Sequence, residues 1–421
     1  MRIEALYLLY QKSYKVVKDT REEVRDSMYF ALKGAHFNGN KYALQALEKG
    51  ANYAVIDEEA YQVDDRMILV DDAMKCLQDL ARYHRQQLAI PILALTGSNG
   101  KTTTKELINV VLQKKYKCFV TRGNLNNHLG VPLTLLSIRP EHEFGVVEMG
   151  ANHVHEIEEL CNIALPDYGY ITNFGRVHLE GFGSFEGVIK GKTEMYAHIR
   201  DRDKWAFVNS ADKIQVKHSQ GMNCITFGPE GADYKIDFLD ADPFVRIYFR
   251  GTLIKSKLNG AKNYSNIAIP VSVRAYFEVP FEDIRSAVES YVPANNRSQI
   301  IEKDSNRIIL DAYNANPNSM EAALNNLNGL SAKHKIAILG DMFELGKGAT
   351  EEHQKIAAML EKSNITQAFL IGESFSEIQV TDKRIGQFSS FDEFKNHMMN
   401  RSFSDTTFLI KASRGMALER T

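Results

Sequence analysis

Apolar positions along this chain alternate between two rhythms. Short, nearly continuous apolar runs are separated by longer stretches in which apolar residues return every third or fourth position. The first rhythm predicts buried strands and the second predicts helices packed on them. The pattern falls into three blocks. In the first, residues 54–57 and 67–70 read as strands and 73–85 as a helix. In the second, an apolar run over 90–95 precedes a helix over 101–112, and strands follow at 118–121, 144–148, 168–172 and 205–209. Helical patterns lie between them at 153–163 and 185–199. Residues 224–258 are richer in β-like runs, such as 245–249, and read as an antiparallel appendage. Helices over 264–277 and 281–291 close this block, and Pro293-Ala294-Asn295-Asn296 reads as a linker. The third block alternates again, with strands at 308–312, 335–339, 368–371 and 407–411 and helices at 318–327 and 351–362. This is an α/β chain of three domains. They are expected at 1–85 (small α/β), 86–294 (a mostly parallel, doubly wound sheet) and 295–421 (a smaller domain of Rossmann type).

Composition agrees. The 421 residues exceed what one core holds, and 44% hydrophobic with 25% charged is ordinary for a globular protein. The formal net charge of −2 gives no electrostatic reason to expect nucleic acid or an anionic membrane as partner. Cys76, Cys118, Cys161 and Cys224 are scattered without a Cys-x-x-Cys pair, as reduced thiols in a cytoplasmic protein would be. No apolar run approaches membrane-spanning length, and the N-terminus does not read as a signal peptide.

The densest chemistry is Thr96-Gly97-Ser98-Asn99-Gly100-Lys101-Thr102-Thr103-Thr104, between a strand and a helix. Such a turn gathers backbone N–H groups at a helix N-terminus, where the dipole favours phosphate. Lys101 is placed to reach terminal phosphates, and the Thr102 hydroxyl to ligate Mg²⁺. The spacing departs from the common P-loop, since only Ser98 and Asn99 separate Gly97 from Gly100. Glu148 ends the apolar run 144–147, at the strand end that lines the crevice of a parallel sheet, and is a second Mg²⁺ candidate. His178, in the glycine-spaced loop after the next strand, is a metal-ligand candidate. Lys190 and Lys192 follow on a helix. Either is a solvated lysine, a source of charge near a triphosphate, or, once carbamylated by CO₂, an anionic ligand. Asn124, Asn126 and Asn127 offer neutral donors within one turn. Asp311, at another strand end, suits ribose hydroxyls or a basic group. Asn314 and Asn316 suit a peptide-like substrate, and Pro317 suits a first helical turn.

Taken in order, these motifs resemble the Mur ligase family over essentially the whole chain. The carriers are the short P-loop, Asn124-Leu125-Asn126-Asn127, Glu148-Met149-Gly150-Ala151-Asn152-His153 and His178-Leu179-Glu180-Gly181-Phe182-Gly183-Ser184. Further along come the Asp311-to-Ser319 turn, Leu339-Gly340-Asp341-Met342-Phe343-Glu344-Leu345-Gly346 and Lys411-Ala412-Ser413-Arg414-Gly415-Met416. The Asp-x-Tyr-Asn-Ala-Asn-Pro turn is that of the dipeptide-adding branch. Near the N-terminus, Asp19-Thr20-Arg21, Phe30-Ala31-Leu32-Lys33-Gly34 and Phe37-Asn38-Gly39 resemble the family's UDP-binding domain.

The resemblance implies ATP-dependent, ADP-forming ligation of D-alanyl-D-alanine to UDP-N-acetylmuramoyl-tripeptide through an acyl phosphate, in the cytoplasm. It implies a monomer that neither inserts in a membrane nor binds nucleic acid. Lys101, Lys192, His178 and Asn126 would be catalytic, with Lys192 carbamylated and Lys190 as the alternative. Thr102, Glu148, His178 and Lys192 would serve Mg²⁺. Gly97, Ser98, Asn99, Gly100, Thr103, Asn263, Asn266, Arg297 and Asp311 would approach ATP. Thr20, Arg21, Lys33, Asn38, Asn152, Asn314, Asn316, Ser319 and Arg414 would face the substrates. One departure is Lys262, where the family often has histidine. Another amino-acid ligase of the same superfamily, folylpolyglutamate synthase, and a nucleotide-binding regulator without turnover are the alternatives. The Asp-Asn-Pro-Arg motif of the diaminopimelate-adding branch is absent.

Overall fold

A computed structural model describes residues 1–293, 296–399 and 401–421. The division expected between residues 294 and 295, and part of the linker around it, lie outside these residues. Three main sheets organise the chain in sequence order.

The N-terminal unit carries a four-stranded parallel sheet in the order Val16–Val17, Met28–Phe30, Tyr53–Ile56, Met67–Leu69. Helix Ala73–Gln87 follows, its first turn capped by the Asp72 carboxylate, which accepts from Lys75 N–H at 2.8 Å. Its buried stripe is Ala73, Leu77, Leu80, Ala81 and His84. That stripe receives helix Ile3–Tyr10, which the apolar pattern did not reveal. Tyr7 Oη bonds His84 Nδ1 at 3.0 Å, Tyr10 Oη donates to Leu136 O at 2.6 Å, and His84 Nε2 bonds Ile138 O at 2.9 Å. Burial lowers the His84 pKa to about 4, so its ring is neutral near pH 7. Through these contacts the N-terminal unit shares a continuous apolar cluster with the central one, from Leu6 and Leu77 to Ile92, Val131 and Ile171.

The central nine-stranded sheet runs Thr252–Asn259, Phe244–Phe249, Tyr234–Asp240, Asn223–Gly228, Trp205–Asn209, Tyr168–Ile171, Ile92–Thr96, Phe144–Glu148, Cys118–Val120. All pairings are parallel except those joining the strands between residues 234 and 259. The expected antiparallel appendage is therefore the edge of the main sheet. Asn223–Gly228 pairs parallel with Trp205–Asn209, and Tyr234–Asp240 pairs with it over two residues before the direction alternates. The helix expected from 153 begins at Glu156, because His155 is left-handed (φ 74°) and the Glu156 carboxylate takes the N–H groups of Asn152 and His153.

The C-terminal six-stranded sheet is ordered Gln299–Lys303, Asn306–Leu310, Thr406–Lys411, His334–Gly340, Gln367–Ile371, Ile385–Phe388, parallel except for its first hairpin. Its two apolar clusters contain no residue of the other units. Glu148 and Lys411 at their strand ends, and Asn173 and Asp311 just past theirs, border one crevice between the central and C-terminal sheets, the position expected for ligands of open parallel sheets.

Candidate active site

The phosphate-loop helix, Lys101–Leu112, has the limits read from the pattern. Its start is set by Gly100 at φ 79°, a left-handed position that a side chain would strain. The first intrahelical bond runs from Thr104 N–H to Gly100 O at 2.9 Å, so the N–H groups of 101–103 have no partner within the helix. They open into a cavity of about 440 Å³, large enough for a nucleotide. Lys101 Nζ folds back onto Gly97 O at 2.7 Å. Burial lowers its pKa, with Glu148 opposing. The loop rests on Asn173, which accepts from Asn99 N–H at 3.0 Å, and on Asn266. The Asn266 amide accepts from Thr104 Oγ1 at 3.1 Å and donates to Asn263 Oδ1 at 2.8 Å. Asn263 and Asn266 both line the cavity.

Glu148 is 2% exposed and receives three side chains. Thr102 Oγ1 donates to Oε2 at 3.1 Å, Asn126 Nδ2 to Oε1 at 2.8 Å, and Lys105 Nζ lies 3.3 Å from Oε2. A hydroxyl and a carboxylate facing each other beside a phosphate cradle are hard oxygen donors of the kind Mg²⁺ takes together with phosphates. Among the described residues no cluster of three or more His, Cys, Asp or Glu could hold a metal by itself. His178 borders the cavity but is paired, Nδ1 to the Glu344 carboxylate of the C-terminal unit. Burial lowers the imidazole pKa although Glu344 pulls the other way. Lys190 is exposed, whereas Lys192 is 1% exposed. The Lys192 ammonium has one hydrogen bond, to Ala151 O at 3.1 Å, and sits 5.2 Å from the Phe182 ring centre. Burial drives its pKa well down, and Lys101 adds to the effect. A buried amine pushed toward neutrality is the chemical form that adds CO₂.

From the C-terminal side, Asp311 borders the cavity just past its strand. It accepts from Lys411 at 2.9 Å, from Lys262 at 3.3 Å and from Ser298 N–H at 2.9 Å. Burial would raise its pKa, but the two lysines outweigh burial and hold it below the usual carboxylate range. The Arg297 guanidinium stacks 3.5 Å from the Tyr313 ring centre, and Arg414 lies 5.4 Å from the same ring. Arg297 Nε is buried without a partner. Asn316 caps helix Pro317–Gly329 in a reciprocal box with Ser319 and also donates to Asn99 Oδ1 at 2.7 Å, joining the C-terminal unit to the phosphate loop. Arg176 N–H donates to Asn318 Oδ1 at 2.6 Å across the same seam. Asn314 Oδ1 accepts from Ala315 N–H at 3.0 Å.

The remaining sequence candidates lie outside this cavity. Thr20 Oγ1 donates to Gln45 at 2.9 Å, Arg21 pairs with Asp19 at 2.5 Å, Lys33 pairs with Asp57 at 3.2 Å, and Asn38 Nδ2 donates to Glu58 at 3.0 Å. Lys33 and Asn38 thus meet on one acidic pair of the N-terminal unit. Asn152 is exposed. Sequence reasoning singled out neither Lys105, Lys411, Glu344 nor Tyr313 as a site residue. For Lys411 a signal existed, because it ends the apolar run 406–411, as Glu148 ends its own.

A phosphate loop backed by a strand-end carboxylate, with a second parallel sheet closing over it, defines a nucleotide-using α/β enzyme built from several units. Similarity to known proteins narrows the class. Residues 95–273 match the Mur ligase middle domain, and 296–414 match the Mur ligase, glutamate ligase domain. The UDP-N-acetylmuramoyl-tripeptide–D-alanyl-D-alanine ligase of Bacillus subtilis is 31% identical over 96% of this chain and 91% of its own length. The same-named protein of Treponema pallidum is 30% identical with equal coverage. Among solved structures, the MurF of Acinetobacter baumannii superposes with a TM-score of 0.87 at 29% identity, covering 96% of this chain and 92% of that one. The MurF ligase of Thermotoga maritima in complex with ADP gives 0.85 at 28%, covering 97% and 96%. The chain belongs to the Mur ligase family.

Proposed function

We propose that this protein ligates D-alanyl-D-alanine to UDP-N-acetylmuramoyl-tripeptide at the cost of ATP, producing ADP, phosphate and the UDP-linked pentapeptide of peptidoglycan synthesis. The observation that carries this is the seating of the Asp311-to-Ser319 turn on the phosphate loop through Asn316 and Asn99. It brings the turn characteristic of the dipeptide-adding branch to the place where an activated carboxyl would form. Relatives of that name over nearly the full length support the reading.

The tripeptide carboxylate is a poor electrophile. Its oxygen attacks the γ-phosphorus of ATP, ADP leaves, and an acyl phosphate results. The dipeptide amine then attacks the acyl carbon, loses a proton, and phosphate departs from the tetrahedral adduct. Positioning and charge neutralisation do most of this work. Lys101 and the N–H groups of 101–103 hold the phosphates. Thr102 and Glu148 would hold Mg²⁺, which supplies Lewis-acid neutralisation of phosphate charge. Arg297, Asp311, Asn263 and Asn266 bind the nucleotide. His178 exchanges Glu344 for ligands in the loaded site. Lys192 adds CO₂ at its neutral amine, releasing a proton to solvent and leaving a carbamate. Arg21, Lys33 and Asn38 take the UDP end, and Arg414 with Asn314 the peptide end. The chain then divides as 1–85 for the UDP-sugar, 86–294 for ATP and 295–421 for the incoming dipeptide. The protein acts as a monomer in this reading. Its substrates place it in the cytoplasm, and among the described residues no helix is long and apolar enough to cross a membrane.

The test is phosphate release from ATP with UDP-N-acetylmuramoyl-tripeptide, with and without D-alanyl-D-alanine. Release requiring both, together with a UDP-linked pentapeptide by mass spectrometry, is the expected outcome. Release independent of the dipeptide refutes the reading.

A further inference from the structure

Lys105 is the one charged partner of Glu148 among the described ion pairs. It sits one turn beyond Thr102 on the phosphate-loop helix, and it is as buried as the carboxylate, at 2% exposed. A buried carboxylate left alone would be a strong trap for any cation, because little solvent screens it. Here the ammonium cancels that charge. Lys101 adds a further positive charge at the same end of the cavity. A free divalent cation therefore meets a carboxylate already paired, and among the described residues no group of three or more His, Cys, Asp or Glu is there to hold it. Only the several negative charges of nucleotide phosphates tip the balance in its favour.

We propose that Lys105 is a resident counter-cation that makes divalent-metal binding at Glu148 conditional on nucleotide, so that metal and phosphates arrive together. The inference rests on the reading of Glu148 and Thr102 as the Mg²⁺ site. It also assigns a role to a lysine whose ammonium lies 3.3 Å from Glu148 Oε2 and which, unlike Lys101, does not line the cavity.

The probe is Mn²⁺, read by the electron-paramagnetic-resonance signal of the free ion, on full-length protein with and without ADP. In the native chain ADP strengthens Mn²⁺ retention, and Mn²⁺ alone binds weakly. Lys105→Gln, which keeps a donor to Glu148 and removes the charge, is expected to bind Mn²⁺ without ADP on the order of tenfold more tightly. Lys105→Arg is expected to behave like the native chain. The gain should vanish in the double variant Lys105→Gln, Glu148→Gln, which ties it to this carboxylate; a misfolded protein would not produce such a gain. No tightening in Lys105→Gln overturns the proposal, as does a gain that survives in the double variant or appears equally in Lys105→Arg. Absence of ADP–Mn²⁺ synergy in the native chain is a separate outcome that refutes the metal site itself, and the proposal with it.

Discussion

Gly100→Ala tests how the phosphate loop is held. The position has φ 79°, where a Cβ costs about 1–2 kcal/mol. That Cβ would also fall 2.6 Å from Asn266 Oδ1 and 2.9 Å from Nδ2. The amide cannot swing aside freely, because Thr104 Oγ1 and Asn263 Oδ1 hold it at 3.1 and 2.8 Å. Moving it forfeits two hydrogen bonds at about 1 kcal/mol each. Together the expected loss is about 3–4 kcal/mol. Trp205, the one tryptophan of the chain, lies in the central sheet, so urea unfolding followed by its fluorescence reads the unit concerned. The midpoint should fall at unchanged slope. Because half of the loss comes from the Asn266 collision, Asn266→Gly should cost less in the Gly100→Ala background than alone. A loss under about 0.5 kcal/mol, or strictly additive costs, would refute this account of the loop.

Lys192→Gln should abolish turnover, and the native enzyme should lose activity in CO₂-depleted buffer and regain it with bicarbonate, the adduct being read by ¹³C NMR after labelled bicarbonate; full activity without CO₂ would count against a carbamate. His84 is neutral in the fold, with its pKa lowered to about 4 from about 6.5, so the unfolded chain binds the extra proton first and stability falls as pH drops through that window. The loss reaches about 3 kcal/mol near pH 4, and thermal melts of His84→Gln should show a flatter acid limb. Asp311→Asn leaves Lys411 and Lys262 without their shared counter-charge and should cost about 3–5 kcal/mol, whereas Lys262→Ala, which removes the more exposed partner, should cost under about 1 kcal/mol; equal melting shifts would contradict the burial argument.

The phosphate-loop helix and the strand Phe144–Glu148 were legible because local signals suffice there: a glycine turn, a lysine-threonine start and a clean apolar run. The cap at Asn316-Pro317 was legible for the same reason, although Asn316 and Ser319 turn out to cap a helix as well as face the cavity. Helix Ile3–Tyr10 was not, because Ile-Glu-Ala-Leu-Tyr-Leu-Leu-Tyr is apolar almost all round and its partner Leu136 lies far along the chain. Lys105 reads as a solvated lysine after three threonines. Only the register of Ile92–Thr96 beside Phe144–Glu148 brings the Glu148 carboxylate within its reach. Glu344 likewise becomes a partner of His178 only when two sheets face each other. The hairpin of Gln299–Lys303 and Asn306–Leu310 escaped because its first strand is a half-polar edge.

The apolar cluster shared by the first two units partitions the molecule differently from its sheets. Leu6, Tyr10, Leu77 and Leu80 lie with Ile92, Val131, Leu135 and Ile171 in a single oil phase. The seam to the last unit is drawn by groups water can satisfy, among them Asn99 with Asn316, Arg176 with Glu352 and Lys262 with Asp311. In descent, then, the last third is the exchangeable cassette: recombination there needs to restore only a few polar handshakes. The first third can drift only in step with the helices it leans on. With the domain roles proposed above, new acceptors for the activated carboxyl are accordingly easier to acquire than new handles for the carrier nucleotide.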